Sequence, residues 1–360
     1  MSPTAAPAHT AAPDASPAAA PDAAPDAASD AAAAPAPVAI GIDVGGTRIK
    51  CGAVAPGGVI SAAATLPTPS DPRELATLLA AQVRGIQEET GLPADTPVGT
   101  AVPGIIDERT ETVEIAVNLG WRNVPIGALL REQILAPLAI GHDVRAGAVA
   151  ESVWGCGDDL PRHPSFHGDG CIGLADLLFV PIGTGVAAAL VQRGHVRGDR
   201  YAGEIGQVRV EDPLTGRTVR LEEVAAASAI ARRYREHAGS STVTSVATGT
   251  GPEVAPGADG PSARDVVDLA RSGDPLAQQV LSTALDALGR HLATVIAAVG
   301  PVPIVLGGGL GNAGAIIRDG VEAALTEHLG VIPAPPVMSA RLSMWAGCQG
   351  AALLGRGCAA

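Results

Sequence analysis

Lysine is almost missing from this 360-residue chain: Lys50 is the only one, and every other fixed cation is Arg. The net charge is −13, and no run of basic residues occurs. These features argue against a nucleic-acid partner, because binding to a phosphate backbone requires clustered cations. Lys50 falls on a predicted strand, where we expect it to be solvated.

Aromatic residues, paired cysteines and long apolar runs are also scarce. Aromatics make up 2% of a chain that is 47% hydrophobic, so its core must be built from Ala, Val, Leu and Ile. The five cysteines include no CxxC pair, which is typical of reduced thiols in a cytoplasm. No apolar run reaches the roughly 20 residues of a membrane helix, and no secretory signal pattern occurs. We therefore expect a cytoplasmic protein without a membrane partner.

Composition divides the chain into a tail and two domains. Residues 1–37 are almost entirely Ala, Pro, Asp, Ser and Thr, which predicts a disordered tail. From Val38 onward, short apolar strands alternate with helices, and this pattern indicates an α/β protein. We predict a small domain of 38–142 that regains the C-terminal helix at 343–360, and a large domain of 143–342.

The periodicity and the Gly and Pro positions locate the elements. Predicted strands cover 38–43, 48–54, 58–65, 98–102, 137–141, two segments within 177–191, and 303–306. Predicted helices cover 72–90, 129–135, 144–154, 221–237, 264–272, 275–299, 313–329 and the stretch after Trp345. Residues 155–176 resemble an inserted loop. Its Cys156, His163, His167 and Cys171 have metal-ligand chemistry, although unrelated Cys and His in a loop are commoner.

Two glycine hairpins are the main functional signal. In the first, an apolar strand ends at Asp43, a turn follows at 44–47, and a second strand begins. Glycine permits the positive φ of such turns, their free N–H groups can cradle phosphate oxygens, and Asp43 can hold Mg²⁺. An ordinary glycine hairpin explains this stretch equally well. Residues 177–191 repeat the design around Gly183-Thr184-Gly185, which predicts two related halves facing a cleft.

A third glycine cluster lies at 307–311. No Walker A pattern is present, but residues 309–314 match GxGxxG between a strand and a helix. A dinucleotide-binding interpretation is weak, because too little chain follows for further βαβ units and no acidic strand end lies about 20 residues on.

Taken in order, these segments resemble the ROK family (repressors, open reading frames and sugar kinases) of the actin-like ATPase/hexokinase superfamily. The segments that carry the resemblance are 41–47 with Gly52, 102–107, 118–121, 142–143, 181–185, 203–207, 221–222 and 306–310. Each is weak alone, whereas their order and spacing together are specific.

The resemblance implies a two-domain actin-like (ribonuclease H-like) α/β fold with a central cleft. It also implies a homodimeric kinase that transfers the γ-phosphate of Mg-ATP to a hexose, most often to the 6-hydroxyl of glucose. The implied sugar-binding residues are Gly104, Asn118, His142, Asp143, Glu204, Gln207 and Glu222. The implied nucleotide-binding residues are Asp43, Gly45, Gly46, Thr47, Gly183, Thr184, Gly185, Gly308 and Gly309, with Asp43 holding Mg²⁺ through water.

Asp143 is the implied catalytic base. It lies where a strand ends and a helix begins, so a helix N-cap is its alternative role. As a base it would accept the proton of the attacking sugar hydroxyl, and we expect the helix N-terminus to lower its pKa. Glu204 and Glu222 can each accept hydrogen bonds from sugar hydroxyls. Their alternative role is surface charge, since Glu222-Glu223 opens a predicted helix.

Departures from the family pattern leave alternatives open. Gln207 replaces a typical His, and residues 211–220 lack the cysteines that bind structural zinc in relatives, so we expect no zinc and a looser loop. His142 stands in place of a typical Asn. The alternatives are a non-catalytic or sugar-sensing relative, a kinase for another hexose or an N-acetylhexosamine, and a dinucleotide oxidoreductase. The choice between ATP and polyphosphate as phosphate donor also stays open.

Overall fold

Two five-stranded sheets form the framework of the residues that the computed structural model describes, which are 38–162, 173–240 and 260–357. The strands are β1 Ala39–Val44, β2 Arg48–Val54, β3 Ile60–Pro67, β4 Val98–Val102, β5 Ile105–Asp107, β6 Thr112–Ala116, β7 Trp121–Val124, β8 Leu138–His142, β9 Leu177–Pro181, β10 Ala189–Gln192, β11 His195–Arg197, β12 Arg209–Glu211, β13 Thr218–Arg220, β14 Ile304–Gly307 and β15 Val337–Ser339. The helices are α1 Pro72–Thr90, α2 Ile126–Arg131, α3 Asp143–Trp154, α4 Glu222–Ala225, α5 Ala227–Ser240, α6 Ala263–Arg271, α7 Pro275–Val299, α8 Gly308–Gly311, α9 Ala315–Leu329 and α10 Ala346–Gly355.

The two sheets share one topology. The first has the order β3-β2-β1-β4-β8, and the second has the order β11-β10-β9-β14-β15. In each sheet an antiparallel meander of three strands is extended by two parallel strands. The predicted duplication of the glycine hairpin is therefore confirmed, and the carboxyl ends of the parallel strands in each sheet meet at one edge.

Local signals in the sequence explain why helix α1 forms where it does. The Asp71 carboxylate accepts hydrogen bonds from the N–H groups of Arg73 and Glu74, both at 2.9 Å, and Pro72 occupies the first turn. Gly91 ends the helix with a left-handed φ of 71°. Residues such as Leu75, Leu79 and Val83 recur at helical spacing and are buried against the first sheet.

Helix α10 packs on the first sheet and on α3 through small residues. A Cβ added at Gly41 of β1 would lie 2.0 Å from the Cys348 carbonyl oxygen, and one at Gly99 of β4 would lie 1.6 Å from that of Ala351. On the opposite face of α10, a Cβ at Gly350 would lie 1.8 Å from the Ala146 carbonyl oxygen of α3. Backbone therefore touches backbone on both faces, which is a use for the many Gly and Ala residues of this chain.

Most predicted elements match the structure, with several differences. The short strands β11, β12, β13 and β15 were not predicted, and the helix predicted at 129–135 lies earlier, at Ile126–Arg131. A small sheet of β5, β6 and β7 was not predicted, because strands of 3–5 residues show too little periodicity. The predicted helix at 221–237 is two helices that are separated at Ala226, whose ψ of 155° is extended. The third glycine cluster is partly helical, as α8, rather than a turn.

Some predictions fall outside the described residues or stay predictions. The tail at 1–37 and most of the inserted loop, including His163, His167 and Cys171, lie outside the described residues. The division into domains at 38–142 with 343–360 and at 143–342 stays a prediction. Among the described helices, none combines the length and the apolar character that crossing a bilayer requires.

Candidate active site

A cavity of about 670 Å³ opens where the carboxyl ends of β4, β8 and β9 face one another. The predicted site residues that line it are Gly104, Asn118, His142, Asp143, Gly183, Thr184, Gly185, Glu204, Gln207 and Glu222. The other predicted residues, Asp43, Gly45, Gly46, Thr47, Gly308 and Gly309, lie outside this lining. All predicted sugar-binding residues are thus brought together with the second glycine turn.

The first glycine turn lies against the cavity wall. A Cβ at Gly46 would stand 2.9 Å from the Cβ of Asn118, which lines the cavity. The N–H of Gly45 closes the turn by donating to the Arg48 carbonyl at 3.0 Å. The N–H groups of Gly46 and Thr47 donate to no acceptor among the described residues, so they are available to an anion.

The second and third glycine segments are joined through their backbones. The N–H of Ile182 donates to the Gly307 carbonyl at 2.9 Å, and the N–H of Leu310 donates to the Ile182 carbonyl at 3.1 Å. Gly308 has a φ of 74°, and a Cβ there would lie 2.6 Å from the Ile182 oxygen. This close approach requires glycine and places α8 directly behind the Gly183–Gly185 turn.

Asp143 is the first residue of α3, and the helix N-cap is His142. The Nδ1 atom of His142 accepts a hydrogen bond from the Val144 N–H at 3.2 Å, and that N–H also donates to the Asp143 carboxylate at 2.7 Å. Since Nδ1 accepts, the hydrogen of a neutral imidazole is assigned to Nε2, which lies 4.0 Å from a Glu204 carboxylate oxygen. His142 and Asp143 therefore share the Val144 N–H, and the Asp143 side chain also lines the cavity.

The pKa of Asp143 is higher than the sequence predicted. Burial raises it from 3.8 to about 6, while the Val144 N–H and the charges of Lys50 and Arg145 act in the opposite direction. The expectation of a lowered pKa was wrong because desolvation of the carboxylate outweighs the favourable helix N-terminus. Burial, together with the charge of Arg145, also lowers the pKa of His142 to about 4, so this imidazole is neutral at pH 7.

Glu204 is brought to the cavity by a turn that depends on glycine. Gly203 has a φ of 93°, and a Cβ there would lie 1.9 Å from the Ala188 carbonyl oxygen. Burial raises the pKa of Glu204, and the neighbouring negative charges of Asp143 and Glu222 raise it further. Three carboxylates therefore converge on one cavity, an arrangement that suits the binding of a polyhydroxylated neutral ligand.

Arg220 lies in the same wall and was not predicted. Its guanidinium contacts the Glu222 carboxylate at 2.9 Å and the side-chain oxygen of Gln207 at 3.3 Å, and it also pairs with Glu223 at 3.0 Å. Gln207 and Glu222 are thereby fixed relative to one another. No sequence motif pointed to Arg220. Its contacts depend on the β12–β13 hairpin, and the hydrophobic periodicity of the sequence did not predict that hairpin.

A second unpredicted residue, Arg200, joins the two walls of the cavity. Its guanidinium donates to Asp107 at 2.6 Å and to Glu114 at 2.9 Å, both in the β5–β6 hairpin. Its carbonyl accepts a hydrogen bond at 3.1 Å from the buried Arg145 of α3. These contacts connect the loop before Glu204 to the strand pair that carries Gly104 and Asn118 at its ends.

Lys50 is not solvated, and that expectation was wrong. Lys50 and Asp43 are direct partners across the β1–β2 hairpin, and their charged atoms lie 3.1 Å apart. The exposed fraction is 20% for the Lys50 side chain and 12% for that of Asp43. Burial raises the pKa of Asp43, and the Lys50 charge opposes this effect. The strand register could have signalled the pair, since residues seven apart around a four-residue turn face each other.

Residues 211–220 form a hairpin that is anchored from within the protein, so the expected loosening of this loop is not observed. The Asp212 carboxylate accepts hydrogen bonds from Leu214 and Thr215, each at 3.1 Å. It also pairs at 2.6 Å with Arg233 of α5, whose side chain is 1% exposed. Arg233 donates in addition to the Val280 carbonyl at 3.2 Å. The ion pair therefore ties the hairpin to two helices.

Cys156, the described member of the candidate metal group in the inserted loop, is buried. Its thiol contacts the Ser339 carbonyl oxygen at 3.0 Å. Burial and the nearby Glu151 charge raise its pKa to about 12, which disfavours the thiolate that a metal would need.

Comparison with known proteins gives a consistent result. The model of the ROK family matches residues 39–357. A glucokinase of Streptomyces coelicolor is 26% identical over 331 residues, which cover 89% of this chain and 98% of that protein. An N-acetylgalactosamine kinase of Shewanella sp. is 26% identical over 333 residues, which cover 88% of this chain and 96% of that protein.

Among solved structures, a ROK family glucokinase from Streptomyces griseus in complex with glucose and AMPPNP superposes with a TM-score of 0.69. It is 26% identical, and the match covers 89% of this chain and 99% of that one. The expected α/β actin-like fold with a central cleft is thereby confirmed.

Proposed function

This chain belongs to the ROK family, and from that premise we propose that it is an ATP-dependent glucokinase. It transfers the γ-phosphate of Mg-ATP to a hexose, with the 6-hydroxyl of glucose as the favoured acceptor. The observation that carries the proposal is the position of Asp143, which lines one cavity together with Glu204, Glu222 and the Gly183–Gly185 turn. The similar glucokinases support the same activity.

Asp143 is the group that takes the proton in this proposal. As the sugar hydroxyl oxygen bonds to the γ-phosphorus, its proton passes to the Asp143 carboxylate, and the bond from phosphorus to the β,γ-bridging oxygen breaks to release ADP. A carboxyl with a pKa of about 6 is a stronger base than an ordinary Asp and is still ionised at pH 7.5. Neutral His142 keeps α3 capped and adds no charge beside the base.

Substrate positioning falls to the remaining cavity residues. Glu204 and Glu222 accept hydrogen bonds from sugar hydroxyls, and Gly104, Asn118, His142 and Gln207 complete the sugar pocket. Amides of Gly46, Thr47, Thr184 and Gly185 face the phosphates, while Gly308 and Gly309 admit the adenosine closely. Such positioning is the larger part of catalysis in phosphoryl transfer.

The residues present fit a divalent cation. Asp43 supplies hard oxygen ligands in a buried position; Lys50 pairs with it, and the charges of Lys50 and Arg145 both act on the nearby Asp143. When bound there through water, Mg²⁺ would neutralise charge on the nucleotide phosphates. We propose no zinc in the 211–220 hairpin, since it carries no cysteine and its Asp212 is already paired with Arg233.

A kinase assay on purified protein with a panel of hexoses and N-acetylhexosamines, and with ATP or polyphosphate as donor, tests the proposal. We expect turnover to be fastest with glucose and ATP. Asp143→Ala should lower kcat by about 10²–10⁴-fold and leave the dissociation constant for the sugar within about threefold. Asp95→Asn, a change at an exposed acid far from the cavity, is the matched control. No turnover on any sugar, or full kcat in Asp143→Ala, would contradict the proposal.

The alternative within the same chemistry is a kinase for an N-acetylhexosamine, which the similar N-acetylgalactosamine kinase favours. The substrate panel separates the two by their kcat/KM ratio. A sugar-sensing relative without activity would bind sugar in the same pocket but show no turnover. A homodimer in the cytoplasm is part of the proposal, and light scattering during gel filtration measures the oligomeric state.

A further inference from the structure

The open end of the β12–β13 hairpin brings three polar side chains to one wall of the cavity. Its last residue pair is Arg209 with Arg220, and Gln207 and Glu222 lie two residues beyond that pair on the two sides of the hairpin. The Arg220 guanidinium contacts both of them, and all three side chains line the cavity. The wall therefore contains an amide, a guanidinium and a carboxylate in mutual contact.

The contact with Arg220 determines which end of the Gln207 amide is free. A guanidinium carries only donors, so the amide atom that faces it at 3.3 Å must be the oxygen. The NH2 group of Gln207 is then turned away from Arg220, and it donates to no acceptor among the residues that the structure describes. If Arg220 were removed, the amide could turn over and present either its donor or its acceptor end.

The same guanidinium engages one oxygen of Glu222 and leaves the other for a ligand. The Nη1 atom of Arg220 lies 2.9 Å from Oε1 of Glu222. The second oxygen, Oε2, lies beside the glycine turn, since a Cβ added at Gly185 would stand 3.1 Å from it. The backbone N–H and Nε of Arg220 both donate at 3.0 Å to Glu223, which does not line the cavity. Arg220 is therefore anchored from behind while it orients the two residues in front of it.

The free NH2 group of Gln207 complements the carboxylates of the cavity. Asp143, Glu204 and Glu222 can accept hydrogen bonds but, when ionised, cannot donate them. A sugar hydroxyl that donates to a carboxylate still has lone pairs that require a donor. The Gln207 amide can supply this donor only in the orientation that Arg220 imposes.

We propose that Arg220 is a positioning residue for the sugar. It holds the Gln207 amide so that the NH2 group donates to one substrate oxygen, and it holds Glu222 so that one carboxylate oxygen accepts from a substrate hydroxyl. The inference rests on the proposed kinase function and deepens it, because selectivity for one hydroxyl of the sugar then depends on a residue that acts through its neighbours. Arg220 exchanges no proton and forms no bond in the transfer step.

Substitutions at Arg220 test the inference by binding and by kinetics. Arg220→Met removes the guanidinium, Arg220→Lys keeps the charge, and Arg217→Met removes an exposed charge from the same hairpin as the control. For Arg220→Met we expect the dissociation constant for glucose to rise about 10–100-fold. At saturating glucose kcat should stay within about fivefold, and the dissociation constant for AMPPNP within about threefold. Arg220→Lys should recover only part of the glucose affinity, because an ammonium group cannot reproduce the contacts of a planar fork.

Gln207→Glu isolates the donor from the rest of the wall. A glutamate keeps the length of the side chain and its contact with Arg220 but has no NH2 group. We expect it to weaken glucose binding about tenfold or more without lowering the melting temperature, since an ion pair replaces the contact with Arg220. A glucose affinity within about threefold of that of the unsubstituted protein would overturn the assignment of this donor.

Deoxyglucoses that each lack one hydroxyl other than the 6-hydroxyl separate positioning from a structural role. One deletion should weaken binding to the unsubstituted protein about tenfold or more and binding to Arg220→Met by only about twofold. The other deletions should cost the same in both proteins. Equal costs for every hydroxyl would overturn the inference, even if Arg220→Met had a lower melting temperature. Failure of the kinase proposal is distinguishable, because the unsubstituted protein would then show no turnover on any sugar, whereas failure of this inference leaves that turnover intact.

Discussion

The carboxylate of Asp143 stands at the N-terminus of α3, where the helix dipole favours a negative charge, yet most of its surroundings exclude water. The position of Asp143 in the sequence reveals the influence of the helix dipole, but it does not reveal the exclusion of water. Burial depends on how β4, β8 and β9 come together around the cavity, which no local pattern contains. The place of Asp143 at the end of β8 and the start of α3 was therefore predictable, while the direction of its pKa shift was not.

The raised pKa of Asp143 predicts the acid limb of the rate profile. The base form dominates above the folded-state pKa of about 6, so kcat/KM should be nearly constant above pH 7 and fall about tenfold per pH unit below 6. His142 does not produce this limb, since its pKa of about 4 lies below it. Kinetic measurement between pH 5 and 8 checks the midpoint. His142→Asn should keep a midpoint near 6, and a kcat/KM that stays constant down to pH 5, as an ordinary Asp with a pKa of 3.8 would give, would contradict the assignment.

At the scale of elements, the β12–β13 hairpin depends on one buried ion pair. It carries Arg220 into the cavity wall, and it is anchored by the Asp212 contact with Arg233. A buried pair of this kind is costly to break, because removal of one partner leaves an unpaired charge in a region of low dielectric constant.

We expect Asp212→Asn to lower the free energy of unfolding by about 3–5 kcal/mol and to raise KM for the sugar more than it lowers kcat. Denaturant unfolding and steady-state kinetics measure the two effects. Glu211→Gln, at an exposed neighbour on the same strand, is the control and should change stability by less than about 0.5 kcal/mol. The double variant with Arg233→Met should recover part of the loss, and a double variant as unstable as the sum of both single changes would contradict a coupled pair.

For the whole molecule, the contact of α10 with its neighbours on both faces unites the first sheet and α3. Because backbone atoms make this contact, a side chain added at one of its glycines cannot be accommodated without a shift of the backbone. Gly350→Ala places a methyl group where the Ala146 carbonyl oxygen already lies within 1.8 Å of the new Cβ, and we expect a loss of about 1–3 kcal/mol.

Gly85→Ala is the matched control for this glycine change. Gly85 lies inside α1 with no neighbouring atom within 4 Å of a new Cβ, and the same substitution should stabilise there by about 0.5–1 kcal/mol. Thermal unfolding measurements should therefore show melting temperatures that shift in opposite directions in the two variants. Stabilisation of both variants would show that helix propensity, and not packing on α3, governs position 350.

The sequence predicted the architecture better than the contacts that complete it. The glycine turns, the caps of α1 and the strand ends at Asp43 and Asp143 are local, so they could be located from residue pattern and family resemblance. Lys50, Arg200 and Arg220 could not be assigned roles in this way. Their partners are set by strand register, by the short β5–β7 and β12–β13 strands, and by the approach of distant loops.

The position of α10 has a consequence for the folding of the chain during its synthesis. The helix that covers Gly41 and Gly99 is built from residues 346–355, and so it leaves the ribosome about 300 residues after β1. At typical synthesis rates, about 15–60 s pass between the synthesis of β1 and that of α10, and during this time α10 cannot cover the face of the first sheet. A nascent chain that ends before α10 would thus leave this face of the first sheet uncovered.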